Sequence, residues 1–345
     1  MLVPPLGGRR PLVTRVLFVA GLGLFALLIW RVGLMSIGHV LLALGWSAFL
    51  VPAPHALYVL GETAGWWLAF ARGGCPLPYG GLLRVTVAIK FIQGVTPSVS
   101  QAAELARIHW LRQAGVQLDV ATASVVMAKT TTAAAELAFI LVGVGALIGS
   151  VAIDPSAATW ALVGIGVLAL GLSVLLAWPW LGLLRPLDWL STRLGIVRVF
   201  LDRHGALLSS TEALHRQYLV EQRARFLASG GVFFVTWLLS AFETYVFLWM
   251  LGAPTTAFDA LLVQAWLALV VRATAFVPSN VGTLEAGALM VFAFLGLPAR
   301  LALALALLRR ARQLVWMGTA LALVPRARHE QATDTRIVSS PTGRR

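Results

Sequence analysis

The chain has 345 residues, 59% of them hydrophobic and only 12% charged, with a mean hydropathy of +0.84. Soluble domains carry roughly 45–50% apolar and about 25% charged residues, so this apolar excess cannot be hidden in one aqueous core, and a soluble enzyme is excluded. The net charge of +13 comes from 25 Arg and 2 Lys against 14 acids. These cations cluster between apolar runs, the pattern of the positive-inside rule, so their counter-charge is anionic lipid rather than nucleic acid.

At about 20 residues per crossing, there is room for roughly six to ten crossings. The N-terminal stretch, with Arg9 and Arg10 before an apolar run from Val16 to Trp30, has the outline of a signal peptide. No small-residue cleavage site follows it, and a retained first helix is expected. Apolar runs continue at 38–60, 80–96, 118–150, 157–184, 226–251, 257–277, 283–297 and 300–324. Between 185 and 225 the series is broken by Arg193, Arg198, Arg203, Arg216, Arg223 and Arg225 against Asp188, Asp202, Glu212 and Glu221, which predicts a cytoplasmic loop with interfacial helices. Past Pro325 the tail, 326–345, is too polar to bury and is expected to be disordered. Cys75 is the only cysteine, so no internal disulfide can form.

Arginine-rich segments near residues 9–15, 72–84, 107–112, 185–225 and the tail are assigned to the cytoplasm, and the cation-free turns at 150–156 and 252–256 to the outside; Arg31 and Arg300 are exceptions. Both termini are then cytoplasmic. The stretch 80–116 must begin and end inside, and 257–298 must begin and end outside, so each is a re-entrant or broken-helix hairpin.

Self-comparison shows one repeat, offset by 181 residues: Pro97, Ser98, Glu104, Gly115 and Lys129 fall on Pro278, Ser279, Glu285, Gly296 and Arg310. Lys90 precedes the first proline and Arg272 the second. With the sidedness above, one copy enters from each face, an inverted repeat of the kind found in secondary transporters, whose sites sit near the midplane on helices broken by Gly or Pro. The predicted fold is an all-α polytopic membrane protein: a first membrane half over 1–184, the loop 185–225, and a second half over 226–325, with about six full spans plus the two hairpins.

Ionisable side chains in lipid are costly and normally find partners or face water. If the hairpins meet, Glu104 and Glu285 lie near Lys90, Arg272, Lys129 and Arg310 and line one polar cavity, where a guanidinium fork and freed backbone N–H groups suit an anion. Arg107, Pro97, Ser98, Pro278, Ser279 and Asn280, the only asparagine, complete the candidate substrate-binding set. Plainer readings stand beside this one. Glu104 and Arg107 are spaced as a helix surface pair, whereas Glu285 has no cation close in sequence. Arg309, Arg310 and Arg312 can snorkel or pair with Glu243. Glu62, beside Trp66 and Trp67, reads as an interfacial anchor, and Glu136 as a further acid in apolar surroundings. Gly61 with Gly65 and Gly145 with Gly149 read as helix-packing contacts. No catalytic motif and no metal spacing is present, so neither enzyme activity nor a cofactor is expected.

The stretches from Gly94 to Arg107, from Phe276 to Gly287 and from Ala304 to Arg312 resemble the flippase-like transmembrane domain of lysyl-phosphatidylglycerol synthase, and more narrowly the branch of that superfamily encoded with hopanoid biosynthesis. The similarity covers roughly residues 12–325. It implies a bacterial inner-membrane protein that moves lipids between leaflets, or hopanoid or lipid-linked molecules outward, with membrane lipids and lipid-biosynthesis enzymes as partners. Because the chain ends soon after its last apolar run, the aminoacyl-transferase activity of the synthase is not expected. Val99, Ser100 and Gln101 depart from the glycine-rich form of the first motif. The competing reading is a non-transporting scaffold that recruits envelope or hopanoid enzymes through the 185–225 loop; a third, an intramembrane enzyme acting on lipid phosphates, rests on the buried carboxylates alone.

Overall fold

The computed structural model describes residues 34–70, 74–95, 102–150, 155–181, 195–277, 280 and 282–338. Among them there is no strand. The helices are α1 (Leu34–Leu44, continued by a 3-10 turn at Gly45–Leu50), α2 (Ala53–Leu68), α3 (Tyr79–Val95), α4 (Ala102–Gln113), α5 (Leu118–Ser150), α6 (Pro155–Leu181), α7 (Gly195–Glu221), α8 (Arg223–Met250), α9 (Ala257–Ala273), α10 (Thr283–Phe294) and α11 (Ala299–Val338). Pro97, Ser98, Pro278, Ser279 and the first apolar run lie outside the described residues.

By length and apolar character α5 and α8 can each cross a membrane, and the pair His39–Leu50 with Ala53–Leu68, bent by 50°, makes a third if it is one span. The six full spans expected from the sequence therefore stand at two or three among the described residues. Of the other expected spans, the first apolar run lies outside the described residues, α6 counts as a shorter apolar helix over Ala158–Val174, and α11 carries Arg309, Arg310 and Arg312 in its apolar part; α3 and α9, the 17-residue first arms of the two hairpins, stop at the breaks. Leu141, Val142, Val235 and Phe242 point outward on α5 and α8, as contact with hydrocarbon favours.

The 181-residue offset recurs in the folded chain. Helix α4 begins at Ala102 and α10 at Thr283; α5 begins at Leu118 and α11 at Ala299. Both short helices end in the same way. Gly115 (φ 86°) and Gly296 (φ 67°) take the left-handed conformation that glycine allows without penalty. Their N–H groups donate to Arg112 O and Ala293 O, and the next residues, Val116 and Leu297, donate to Leu111 O and Phe292 O. The packing order repeats as well: α2 touches α3, α3 touches α4 and α4 touches α5, just as α8 touches α9, α9 touches α10 and α10 touches α11. Across the copies α3 packs on α11, α9 on α5, and α2 on α8.

Close approach of backbones holds these cross-contacts. A Cβ at Gly61 would meet Thr236 Oγ1 at 2.5 Å and one at Gly65 would meet the Phe233 ring at 2.7 Å, so α2 and α8 lie against each other with no room for a side chain. That fulfils the packing reading of this glycine pair. Gly145 and Gly149 do not behave alike: nothing lies within 4 Å of a Cβ at either position, because both stand on the exposed face of α5 while Gly143, Val144 and Leu147 face its neighbours. Two apolar clusters result. One, with Phe139, Ile140, Leu147, Phe247, Val263, Val291, Phe292 and Leu308, joins α5, α8, α9, α10 and α11. The other, with Trp66, Phe70, Leu82, Leu111, Met127, Tyr218 and Phe233, joins α2, α3, α4, α5, α7 and α8.

Two polar segments differ from the sequence expectation in detail. Helix α7 fills most of the 185–225 loop and packs on α5, α6 and α8. Helix α11 continues through Pro325 to Val338, where composition predicts disorder; Ala, Arg, Glu and Gln in this stretch are good helix formers, and that propensity does not depend on burial.

On α7, outside the membrane-spanning helices, His215 is buried 3.3 Å from Thr130 Oγ1. Burial holds its pKa down from 6.5 to about 4. A group whose folded pKa is depressed supports the fold while neutral, and that support falls away as pH drops from 6.5 toward about 4. Thermal unfolding of the detergent-solubilised protein is therefore expected to show a steeper loss of stability over that window in the wild type than in His215→Gln, with the two curves parallel above pH 7.

Candidate functional site: a cation-rich cavity between the two copies

Between the copies lies a cavity of about 270 Å³. Helices α2, α3 and α5 contribute His55, Tyr58, Lys90, Gln93, Gly94 and Glu136, and helices α8, α9 and α11 contribute Trp237, Ser240, Gln264, Arg272, Arg309, Arg312, Gln313 and Trp316. Among the described residues four cations thus face the space, with Glu136 as the only carboxylate on its wall.

Each wall cation is placed by a helix the sequence reading had in view, but the carboxylates that hold them are mostly not the expected ones. Glu62 of α2 accepts from Lys90 Nζ at 2.5 Å and from Arg107 NH2 at 2.6 Å. Its aromatic neighbours serve these cations: the Arg107 guanidinium lies 4.9 Å from the Trp66 ring centroid and Lys90 Nζ 5.4 Å from that of Tyr58. Glu62 is therefore a half-buried ion-pair hub and not an interfacial anchor, because α2 turns it toward α3 and α4. Arg272 Nε donates to Glu136 at 2.6 Å. Arg312 donates to Glu243, whose other oxygen lies 3.1 Å from His55 Nδ1.

Glu104 and Glu285, expected to share the cavity, do not line it. Each sits in the first turn of its short helix, α4 or α10, where the partial positive charge of the helix N-terminus favours an acid. Each also pairs with the cation 25 residues further on: Lys129 Nζ to Glu104 at 2.8 Å, and Arg310 NH2 to Glu285 at 3.2 Å. The repeat-matched residues are thus matched ion pairs, one per copy, and the missing near-sequence partner of Glu285 is supplied by α11. Glu285 additionally accepts from the Gly282 N–H at 2.8 Å, closing the start of α10. Arg310 donates to Asn280 O at 3.1 Å. Asn280 itself has φ 49°, a left-handed conformation that asparagine tolerates better than most residues. Arg107 Nε lies 3.7 Å from Glu104, so an alternating chain, Lys90, Glu62, Arg107, Glu104, Lys129, runs from the cavity outward.

Of the residues read as a site, the structure brings Lys90 and Arg272 to the cavity and puts Glu104, Arg107, Lys129, Glu285, Asn280 and Arg310 into supporting pairs around the two breaks. His55, Gln264 and Trp316 carried no signal toward the cavity. For Glu62 and Glu243 a signal existed: Glu62-Thr63 and Glu243-Thr244 stand at the same 181-residue offset. Both threonines also donate to the carbonyl four residues back, Thr63 to Val59 and Thr244 to Ser240, themselves 181 apart. Helix α11 reaches across to the other copy, Gln313 Nε2 donating to Gly94 O at 3.4 Å and Trp316 Nε1 to Pro52 O at 3.3 Å.

Long apolar helices around a cleft of paired charges define an α-helical membrane protein built from two corresponding helix runs. Its family follows from the sequence as a whole. The chain belongs to the family described as the lysylphosphatidylglycerol synthase TM region, whose model matches residues 13–322. No curated protein and no solved structure matches it.

Proposed function

We propose that this protein is a lipid flippase or transporter of the bacterial cytoplasmic membrane, that its two copies form an inverted repeat, and that the cavity between them is the headgroup site. The observation that carries the reading is a cation-rich space walled by both copies at once, so that rocking one copy on the other changes which face it opens toward. Membership in a family of membrane regions from a lipid-modifying synthase supports a lipid substrate. The resemblance to the hopanoid-associated branch makes hopanoids, anionic phospholipids and lipid-linked molecules the candidate cargo. A space of about 270 Å³ is at the small end for an enclosed ligand, roughly 300–1,000 Å³, which suits a headgroup whose chains stay in the bilayer. The protein acts by binding and moving lipid, without chemistry on it.

Reconstitution into vesicles with tail-labelled phosphatidylglycerol, read by dithionite quenching, tests this. Arg272→Gln is expected to slow leaflet exchange about tenfold, equivalent to about 1.4 kcal/mol on the barrier. Arg300→Gln, which alters an exposed residue away from the cavity, should leave the rate unchanged. Exchange no faster than in empty vesicles, or equal rates for wild type and Arg272→Gln, would overturn the reading.

A further inference from the structure

Of the four described cations that line the cavity, three are held by an acid and one is not. Lys90 and Arg107 share Glu62, Lys129 has Glu104, Arg272 has Glu136, Arg310 has Glu285 and Arg312 has Glu243. Among the described residues Arg309 has no carboxylate within salt-bridge distance. Its NH2 donates to two neutral oxygens, Thr244 Oγ1 at 2.8 Å and Gln264 Oε1 at 2.5 Å, and its buried Nε has no hydrogen-bond partner. The charges that reach it are Arg312, one turn along α11, and Glu243, already engaged by Arg312 and His55. The first copy offers no counterpart, since Ala128 and Thr131 stand 181 positions before Arg309 and Arg312. Among the described cavity-lining cations the charge without an acid is thus that of Arg309 alone.

We infer that Arg309 is the anchor for a phosphate-type oxyanion that enters the cavity between the copies. A buried charged N–H without an acceptor is unfavourable, and an incoming anion removes that deficit. Thr244 and Gln264 both accept from Nη2 and hold that end of the guanidinium in place, leaving the Nη1 and Nε N–H groups as charge-assisted donors to phosphate oxygens. Arg272 and Arg312 on the same wall add positive potential while keeping their own carboxylates. The inference deepens the transport reading, on which it rests for its lipid source; the oxyanion can belong to a lipid headgroup or be free phosphate.

Calorimetric titration of the full-length protein in a neutral detergent separates these cases. Dihexanoyl phosphatidic acid is expected to bind the wild type, and dihexanoyl glycerol, which lacks the phosphate, is not. Arg309→Gln should lower the affinity at least about tenfold. Gln264→Glu should do the same while raising the thermal unfolding temperature, because it supplies an internal carboxylate beside Arg309; loss of binding through misfolding would lower that temperature. Competition by inorganic phosphate identifies the free ion as sufficient, and its absence identifies the lipid-borne group. No binding by the wild type, or equal binding by wild type, Arg309→Gln and Gln264→Glu, would overturn the inference. Phosphatidic acid binding with no leaflet exchange in vesicles would leave the anion site standing and remove the transport reading. Exchange that is indifferent to the headgroup phosphate would do the reverse.

Discussion

Glu243→Ala is expected to be the most damaging single substitution in the molecule. Glu243 is buried, accepts from Arg312 and lies 3.1 Å from His55. Removing it strands Arg312 beside the already uncompensated Arg309, with no second acid in reach among the described residues. Breaking a buried pair from one side typically costs about 3–5 kcal/mol, most of it the penalty of the orphaned charge, and two cations one helical turn apart repel each other in addition. Chemical unfolding in detergent should therefore place Glu243→Ala at or above the top of that range. The double variant Glu243→Ala, Arg312→Met should regain more than half of the loss, since it removes the orphan together with its partner. A double variant no more stable than the single one would mean that Glu243 matters by packing and not by charge.

Glu62→Ala is expected to come second, with a loss of about 3 kcal/mol. It removes the acceptor of both Lys90 and Arg107. The effect is smaller than at Glu243 because Arg107 Nε already lies 3.7 Å from Glu104 and can tighten onto it, so only Lys90 is left exposed to the full penalty. Lys90→Met in the Glu62→Ala background should then restore most of the stability, and Arg107→Met in the same background little of it. The reverse ranking would show that the Arg107 side of the hub carries the energy. The order of the two predictions follows from the difference between copies: equivalent acids, but an extra cation in the second.

The repeat was readable from residues of unusual type. Pro, Ser, Glu and Gly in an Ala- and Leu-rich chain mark register, and the helices of the second copy begin where the offset from the first puts them. The pairing of Glu104 with Lys129 and of Glu285 with Arg310 was also implicit, since all four stand in register. What the pattern could not supply is the direction each side chain takes. Two acids at the starts of short helices satisfy their own helix ends first, which turns them from the cavity that their symmetry suggests. Glu62 looked like an anchor because its sequence neighbours, Trp66 and Trp67, are typical of membrane interfaces; only the contact of α2 with α3 and α4 shows that cations stand over those rings. Arg309 was legible as a buried cation, yet its lack of an acid depends on Gln264, 45 positions away on α9, and no local spacing encodes such an absence.

The seam between α2 and α8 has a mechanical consequence. Thr236 and Phe233 occupy the space above Gly61 and Gly65, so these helices can neither part nor slide without a void or a collision. Each is the counterpart of the other in the 181-residue offset, and in the proposed inverted arrangement a helix packed on its own counterpart lies on the axis that relates the halves. In the proposed rocking of one copy on the other this seam would be the fulcrum, because tilting about it preserves the contact. In that proposed movement, displacement falls on helices off the seam, among them α4 and α10, which carry the Glu104 and Glu285 pairs at their first turns.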